Sequence, residues 1–245
     1  MPLTRGFLWL AYDHMGGLVA YNVLWSVLNL PYWALAYLLW NAGLALGGVG
    51  VVAGLLLAVQ TVIFSPASLV LYIAAAAWVR QREIGVGELL RTLRHFFIRA
   101  QILQFLLLAV SAVILLNMAF YSDISGWLGL FLSGLMAWLL LVLVLLSLQL
   151  LPLLVTQDDA VWKTLRQSFL LSVGHVGGSL MLLLVGIVFL GVGVLTGVGL
   201  FCGLFAAYIL WVSAYFRALL SRYSGEVLPT EEPRRLRELV RPWGD

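Results

Sequence analysis

Charge is scarce in this chain of 245 residues: charged side chains make up only 10% of it, against about a quarter in soluble globular domains. That shortage, with 63% hydrophobic residues and a mean hydropathy of +1.04, excludes an ordinary soluble globule and makes lipid the expected solvent. Cysteine occurs once, as Cys202 in an apolar stretch, so neither an intramolecular disulfide nor a cysteine-based metal site can form. The three histidines are scattered, and no H-E-x-x-H, G-x-S-x-G elbow or P-loop occurs. No catalytic residue, metal site or cofactor is therefore assigned, and an enzyme is not expected. Carboxylates are missing from the apolar runs as well: Asp13, Glu83, Glu88, Asp123, Asp158 and Asp159 all lie outside them. Ion-coupled pumps usually place an ionisable group within a span, so this pattern argues against one. The net charge of +3 comes from basic residues flanking apolar runs, which is a topology signal and not a nucleic-acid footprint.

Apolar runs of bilayer length fill most of the chain. Cutting at charge and at Gly/Pro punctuation gives spans near 18–40, 51–79, 100–120, 127–151, 176–196 and 199–219. The expected fold is an all-α integral membrane protein, a bundle of about six transmembrane helices occupying residues 1–223, with a cytoplasmic tail over 224–245. With both termini inside, all 14 basic residues fall on the inner side and the outer loops keep only Asp123. Residues 1–12 read as a short interfacial helix that is not a cleavable signal. Residues 80–99 read as an amphipathic cytoplasmic helix, in which Ile84, Leu89, Leu90, Leu93, Phe96 and Phe97 recur at helical spacing among arginines. It suits an anchor on anionic membrane lipid, or a coupling surface on which Arg82, Arg91, Arg94 and Arg99 meet a partner protein. Pairs such as Gly43/Gly47, Gly50/Gly54 and Gly174/Gly178 suit close packing inside the bundle or between two copies in a homodimer.

The second span is too long for one straight helix. Ser65 is a good N-cap and Pro66 a good first helical residue, so the span is expected to be kinked or broken at Ser65-Pro66. A break aims free backbone N–H groups into the membrane, as at transporter binding sites, whereas a plain proline kink would carry no function. Amides and hydroxyls enter the apolar runs at Asn22, Asn29, Gln60, Thr61, Ser65, Ser68, Gln101, Gln104, Asn117, Ser147 and Gln149. They serve either interhelical hydrogen bonds or a neutral polar cavity, which beside aromatic faces suits a sugar better than an ion. Asn29, Gln60, Thr61, Ser65, Pro66, Ser68, Gln101, Gln104, Asn117 and Gln149 are the candidate substrate-binding residues, with Asn29, Gln60 and Pro66 nearest the expected site.

Three stretches resemble the YesL-like family of bacterial membrane proteins, a domain of unknown function often encoded near carbohydrate-utilisation genes. They are GFLWLAYDHMGGLVAYNVLWSVLNLPYW, SPASLVLYIAAAAWVRQREIGVGELLRTLRHFFIRAQILQF and LLPLLVTQDDAVWKTLRQSFLLSVGHVG, together under half of the chain. The family's asparagine in its basic surface segment is replaced here, where Phe96 and Phe97 are followed by Ile98 and Arg99. The resemblance implies a protein of about six helices in the bacterial inner (cytoplasmic) membrane, linked to oligosaccharide uptake beside an ABC importer; it carries over no site residue. Two readings stand from this. A transport-associated protein that moves a neutral oligosaccharide, alone or with ABC importer subunits, predicts a polar cavity reachable from one face. An assembly factor with no substrate path predicts a tightly packed bundle working through residues 80–99 and the tail.

Overall fold

The computed structural model describes residues 3–196 and 203–224; the tail from 225, Cys202 and the start of the sixth expected span lie outside the described residues. The described residues form ten helices: α1 (Leu3–Asp13), α2 (Met15–Leu28), α3 (Leu30–Leu46), α4 (Val49–Ile63), α5 (Pro66–Val79), α6 (Val86–Ser122), α7 (Trp127–Gln157), α8 (Val161–Gly174), α9 (Val176–Thr196) and α10 (Leu204–Ser224). Helices α6, α7, α9 and α10 are each long and apolar enough to cross a membrane, and two bent pairs, α2 with α3 and α4 with α5, bring the candidate spans among the described residues to as many as six if each pair makes one crossing. Large apolar side chains such as Leu38, Phe105, Leu116, Phe131, Trp138 and Leu184 cover the exterior, the arrangement expected where acyl chains replace water.

The centre of the bundle is α5, of which eleven of the 14 residues are buried. It is packed by α2, α6, α7 and α10, and its run of small residues from Ala74 to Ala77 lets those neighbours approach closely. Two hairpins stand beside this centre. Helices α3 and α4 pack on each other through Gly43, Gly50 and Gly54: a Cβ at Gly43 would sit 2.5 Å from the Gly50 carbonyl oxygen and 2.8 Å from Gly54 Cα. Their turn uses positive φ at Gly47 (64°) and Gly48 (48°), open to glycine without strain. In the second hairpin α6 packs against α7.

The break at Ser65-Pro66 is present, with a 50° bend between α4 and α5. A second break was not expected: the run 18–40 is not one helix, because α2 and α3 meet at Asn29 with a 57° bend. Pro31, in the first turn of α3, lacks the N–H that would bond the Val27 carbonyl, which is why the helix bends there. A further difference concerns residues 80–99. They do not make a separate surface helix; from Val86 onward they are the first turns of the 37-residue α6, which continues through the third span without interruption. No glycine or proline stands between Glu88 and Ser122 to stop it. Helix α8, unforeseen, buries Thr164, Ser168 and Ser172, a small-residue stripe at every fourth position, and packs on α7.

Candidate functional site

Six of the ten candidate residues lie at or near the two breaks, Asn29 at the first and Gln60, Thr61, Ser65, Pro66 and Ser68 at the second. Pro66 has no N–H for the Val62 carbonyl, and the Ser65 N–H turns to Val62 at 3.4 Å instead of pairing with Thr61. Side chains take up both carbonyls. Ser68 Oγ donates to Val62 O at 3.2 Å, and Gln104 Nε2 of α6 donates to Thr61 O at 3.3 Å. Ser65 caps α5, its side chain accepting from Ser68 N–H at 3.3 Å, while the Thr61 hydroxyl bonds back to Leu57 O at 2.8 Å. Across the seam, Trp25 Nε1 of α2 donates to Ser68 Oγ at 2.9 Å. Trp25 lies one turn before the Asn29 break and Ser68 three residues past Ser65, so this bond ties the two breaks together. The Trp25 ring also meets Phe205 at 4.2 Å between centroids and Trp33 edge-on at 6.1 Å.

Asn29 and Gln60 differ from this satisfied set. Both are buried, and neither the amide nitrogen nor the amide oxygen of either side chain has a partner. Leaving such a group unpaired in an apolar interior costs about 1–3 kcal/mol, so these are the strongest polar vacancies at the breaks. The other candidates are dispersed. Asn117 bonds its own helix at Val113 O and is exposed; Gln149 Nε2 donates to Ser179 Oγ at 2.6 Å; Gln101 has a buried, unpartnered Nε2. Asn22, in turn, caps another helix: its Oδ1 accepts from Ala206 N–H at 3.1 Å at the start of α10.

One cavity lies apart from Asn29, Gln60 and Pro66. A space of about 580 Å³ opens between the C-terminal ends of α5, α7 and α10, lined among others by Tyr72, Arg80, Thr156, Ser213, Arg217 and Tyr223, and none of the candidate residues borders it. Arg217 donates to the Val79 carbonyl at its wall. Sequence reading missed it because its walls come from three segments far apart in the chain; the available signal was an arginine just beyond α5 and another in the last turns of α10.

The arginines of 80–99 divide. Arg82 pairs with Glu88 at 2.9 Å on the surface, and Arg91 and Arg94 are exposed. Arg99 turns inward onto the end of α7, donating to Asp158 Oδ1 at 2.6 Å and to the Asp159 carbonyl at 3.0 Å. His95 Nε2 stands 3.0 Å from both Asp158 oxygens and donates when it carries the hydrogen. Hydrogen bonds from Arg99 first, and from His95 second, hold the Asp158 carboxyl below the usual carboxylate range. Among the described residues no three His, Cys, Asp or Glu side chains converge on a point that could hold a metal ion.

Four helices of span length, and up to six candidate spans if each bent pair crosses once, with an apolar exterior define a multi-pass integral membrane protein. Compared with known proteins, the chain matches no family model, no curated protein and no solved structure.

Proposed function

We propose that this chain is a transport-associated protein of the bacterial cytoplasmic membrane, akin to the YesL-like family, that takes part in the uptake of neutral oligosaccharides, alone or beside the subunits of an ABC importer. The observation that carries the reading is the pair of unpartnered amides, Asn29 and Gln60, at two adjoining helix breaks. Discontinuous helices are the usual site builders of secondary transporters, and a neutral amide can donate to and accept from a sugar hydroxyl. Almost all of α3 packs on α4, while α4 alone of the two also leans on α6. The α3–α4 hairpin is thus a leaf joined to the bundle at Asn29 and at Phe64-Ser65, and its rotation would uncover both amides together with the Trp25 and Trp33 rings.

Uptake of labelled oligosaccharides into liposomes holding the purified chain alone, against empty vesicles, tests this directly. Saturable uptake that disappears in Asn29→Leu and Gln60→Leu is the expected result. Uptake unchanged in both variants, with the fold intact, removes the seam as a substrate site.

A second reading, an assembly factor with no substrate path, has its own observation. Val86, Leu90 and Ile98 are exposed beside Arg91 and Arg94 on the first turns of α6, a mixed apolar and basic face that fits a protein partner. Absence of uptake by the chain alone, with capture of importer subunits lost in an Arg91→Glu/Arg94→Glu double variant, selects that reading.

A further inference from the structure

We propose that the outward face of α8 is a binding site for an acidic phospholipid of the leaflet at which the basic residues gather, a site independent of the seam at the helix breaks. Helix α8 is polar on the inside and apolar on the outside. Its buried stripe is Thr164, Ser168 and Ser172, and the Ser168 and Ser172 hydroxyls are without a hydrogen-bond partner there. Val161 and Leu165 turn partly inward, while Trp162, Phe169, Leu170 and Val173 are exposed, Trp162 by 79%. Water on that face would oppose the hydrophobic effect, since four large apolar side chains would be left out and hydroxyls buried in their place. Acyl chains on that face match it, as they do for a helix lying at a membrane interface.

The face also carries a cation. Trp162, Arg166, Phe169 and Val173 follow one another at steps of four, three and four residues, so they share one stripe. Arg166 is exposed there and makes no ion pair among the described residues. The carboxylates just before α8 are engaged elsewhere, Asp158 with Arg99 at 2.6 Å and Asp159 with Lys163 at 2.8 Å. Residues 161–174 themselves contain no acidic residue. A guanidinium between Trp162 and Phe169 is costly among acyl chains, and its long stem carries it to the nearest phosphates. There it can bond a phosphate diester through two N–H groups, while Trp162 takes the headgroup level that tryptophan prefers. Phe169, Leu170 and Val173 lie farther along α8, toward α9, where the acyl chains of the same lipid would run. An acidic headgroup is favoured over a zwitterionic one, because the latter brings a cation of its own to the guanidinium. Arg91 and Arg94, exposed at the same end of the bundle, add to the attraction.

The test uses the full-length chain with Cys202→Ala, reconstituted in vesicles of mixed phosphatidylglycerol and phosphatidylcholine and carrying a fluorophore on Val173→Cys. A nitroxide quencher is placed on the acyl chains of one lipid or of the other. The expected result is a local association constant for phosphatidylglycerol about five times that for phosphatidylcholine, the factor one basic residue supplies at a membrane surface. Arg166→Gln, an exposed change that leaves the packing alone, brings the ratio to about one, and Arg166→Lys, which keeps the charge, retains the preference. A fluorophore on Leu184→Cys, exposed in the middle of α9, is quenched equally by the two lipids. Absence of quenching at residue 173 by either lipid overturns the proposal, since water, a second copy or another protein then covers the face. Equal quenching at residue 173 in the parent chain, a preference that survives Arg166→Gln, or the same preference at residue 184 overturns it as well.

Discussion

At the scale of single residues the chain separates polar groups that hold the fold from polar groups that stand idle in it. Ser68 belongs to the first kind, since its hydroxyl accepts from Trp25 and donates to Val62 O. Ser68→Ala strands a buried indole N–H and a buried carbonyl, and the thermal unfolding midpoint in detergent is expected to fall by the equivalent of about 1–3 kcal/mol. Asn29 and Gln60 belong to the second kind. Leucine at either position removes a desolvated, unbonded amide at similar volume, so Asn29→Leu and Gln60→Leu are expected to raise the same midpoint and, on the proposed transport reading, to abolish uptake, an opposition between stability and activity. Asp158 gives a pH dependence. Its carboxyl is held below the usual range in the folded chain, so its contribution to stability is complete above the ordinary carboxylate pKa and is lost as pH falls through the lowered value. Midpoints measured from neutral to acidic pH for the parent chain and for Asp158→Asn should differ near neutrality and converge in acid.

Among the elements, glycine and proline decide more than hydrophobicity does. Gly43 faces backbone atoms of Gly50 and Gly54 across the α3–α4 hairpin, with no flexible side chain to give way. Gly43→Ala should therefore cost about 1–3 kcal/mol or more by forcing the helices apart, whereas Gly134→Ala in α7, where a Cβ would meet nothing within 4 Å, should be neutral or stabilising by up to about 1 kcal/mol. Paired unfolding measurements on the two variants check the contrast. The break at Ser65-Pro66 was legible because an N-cap residue and a first-turn proline stand together in an apolar run. The break at Asn29 carried the same kind of signal in Pro31, but the surrounding residues are apolar on both sides and the run was of ordinary span length, so nothing demanded a division. Residues 80–99 were separated from the third span because charge appears there. Charge selects the solvent around a helix and leaves its backbone hydrogen bonds intact, so α6 runs straight through that boundary. Helix α8 escaped notice since its buried stripe is Thr164, Ser168 and Ser172, residues that carry no hydrophobic period.

On the scale of the whole molecule, span count and lipid-facing exterior followed from composition, because bilayer thickness fixes how long an apolar run must be. The cavity did not, because α5, α7 and α10 supply its wall from positions that only folding brings together. The distribution of basic residues predicts both termini on the cytoplasmic side. With Cys202 replaced by alanine, single cysteines at Gly48 and Ser125 should react with an impermeant maleimide from outside intact cells, and those at Glu83 and Ala160 should react only after the membrane is opened. The reverse pattern would invert the bundle and put the cavity on the outer face.

Helix α6 gives the molecule a mechanical property that its neighbours lack. The two bent pairs are interrupted at their joints and α7 contains Pro152, but α6 runs unbroken for 37 residues, about 55 Å. A rod of that length pivoting at mid-depth converts a tilt of about ten degrees into a sideways travel of about 5 Å at each tip. One tip carries Arg91 and Arg94 and the shaft bears against α4, the inner face of the leaf. Its midpoint, Gln104, is bonded to Thr61 O beside the hinge, so a push on the basic tip would leave the hinge in place and swing the opposite tip, with no change in the rod itself.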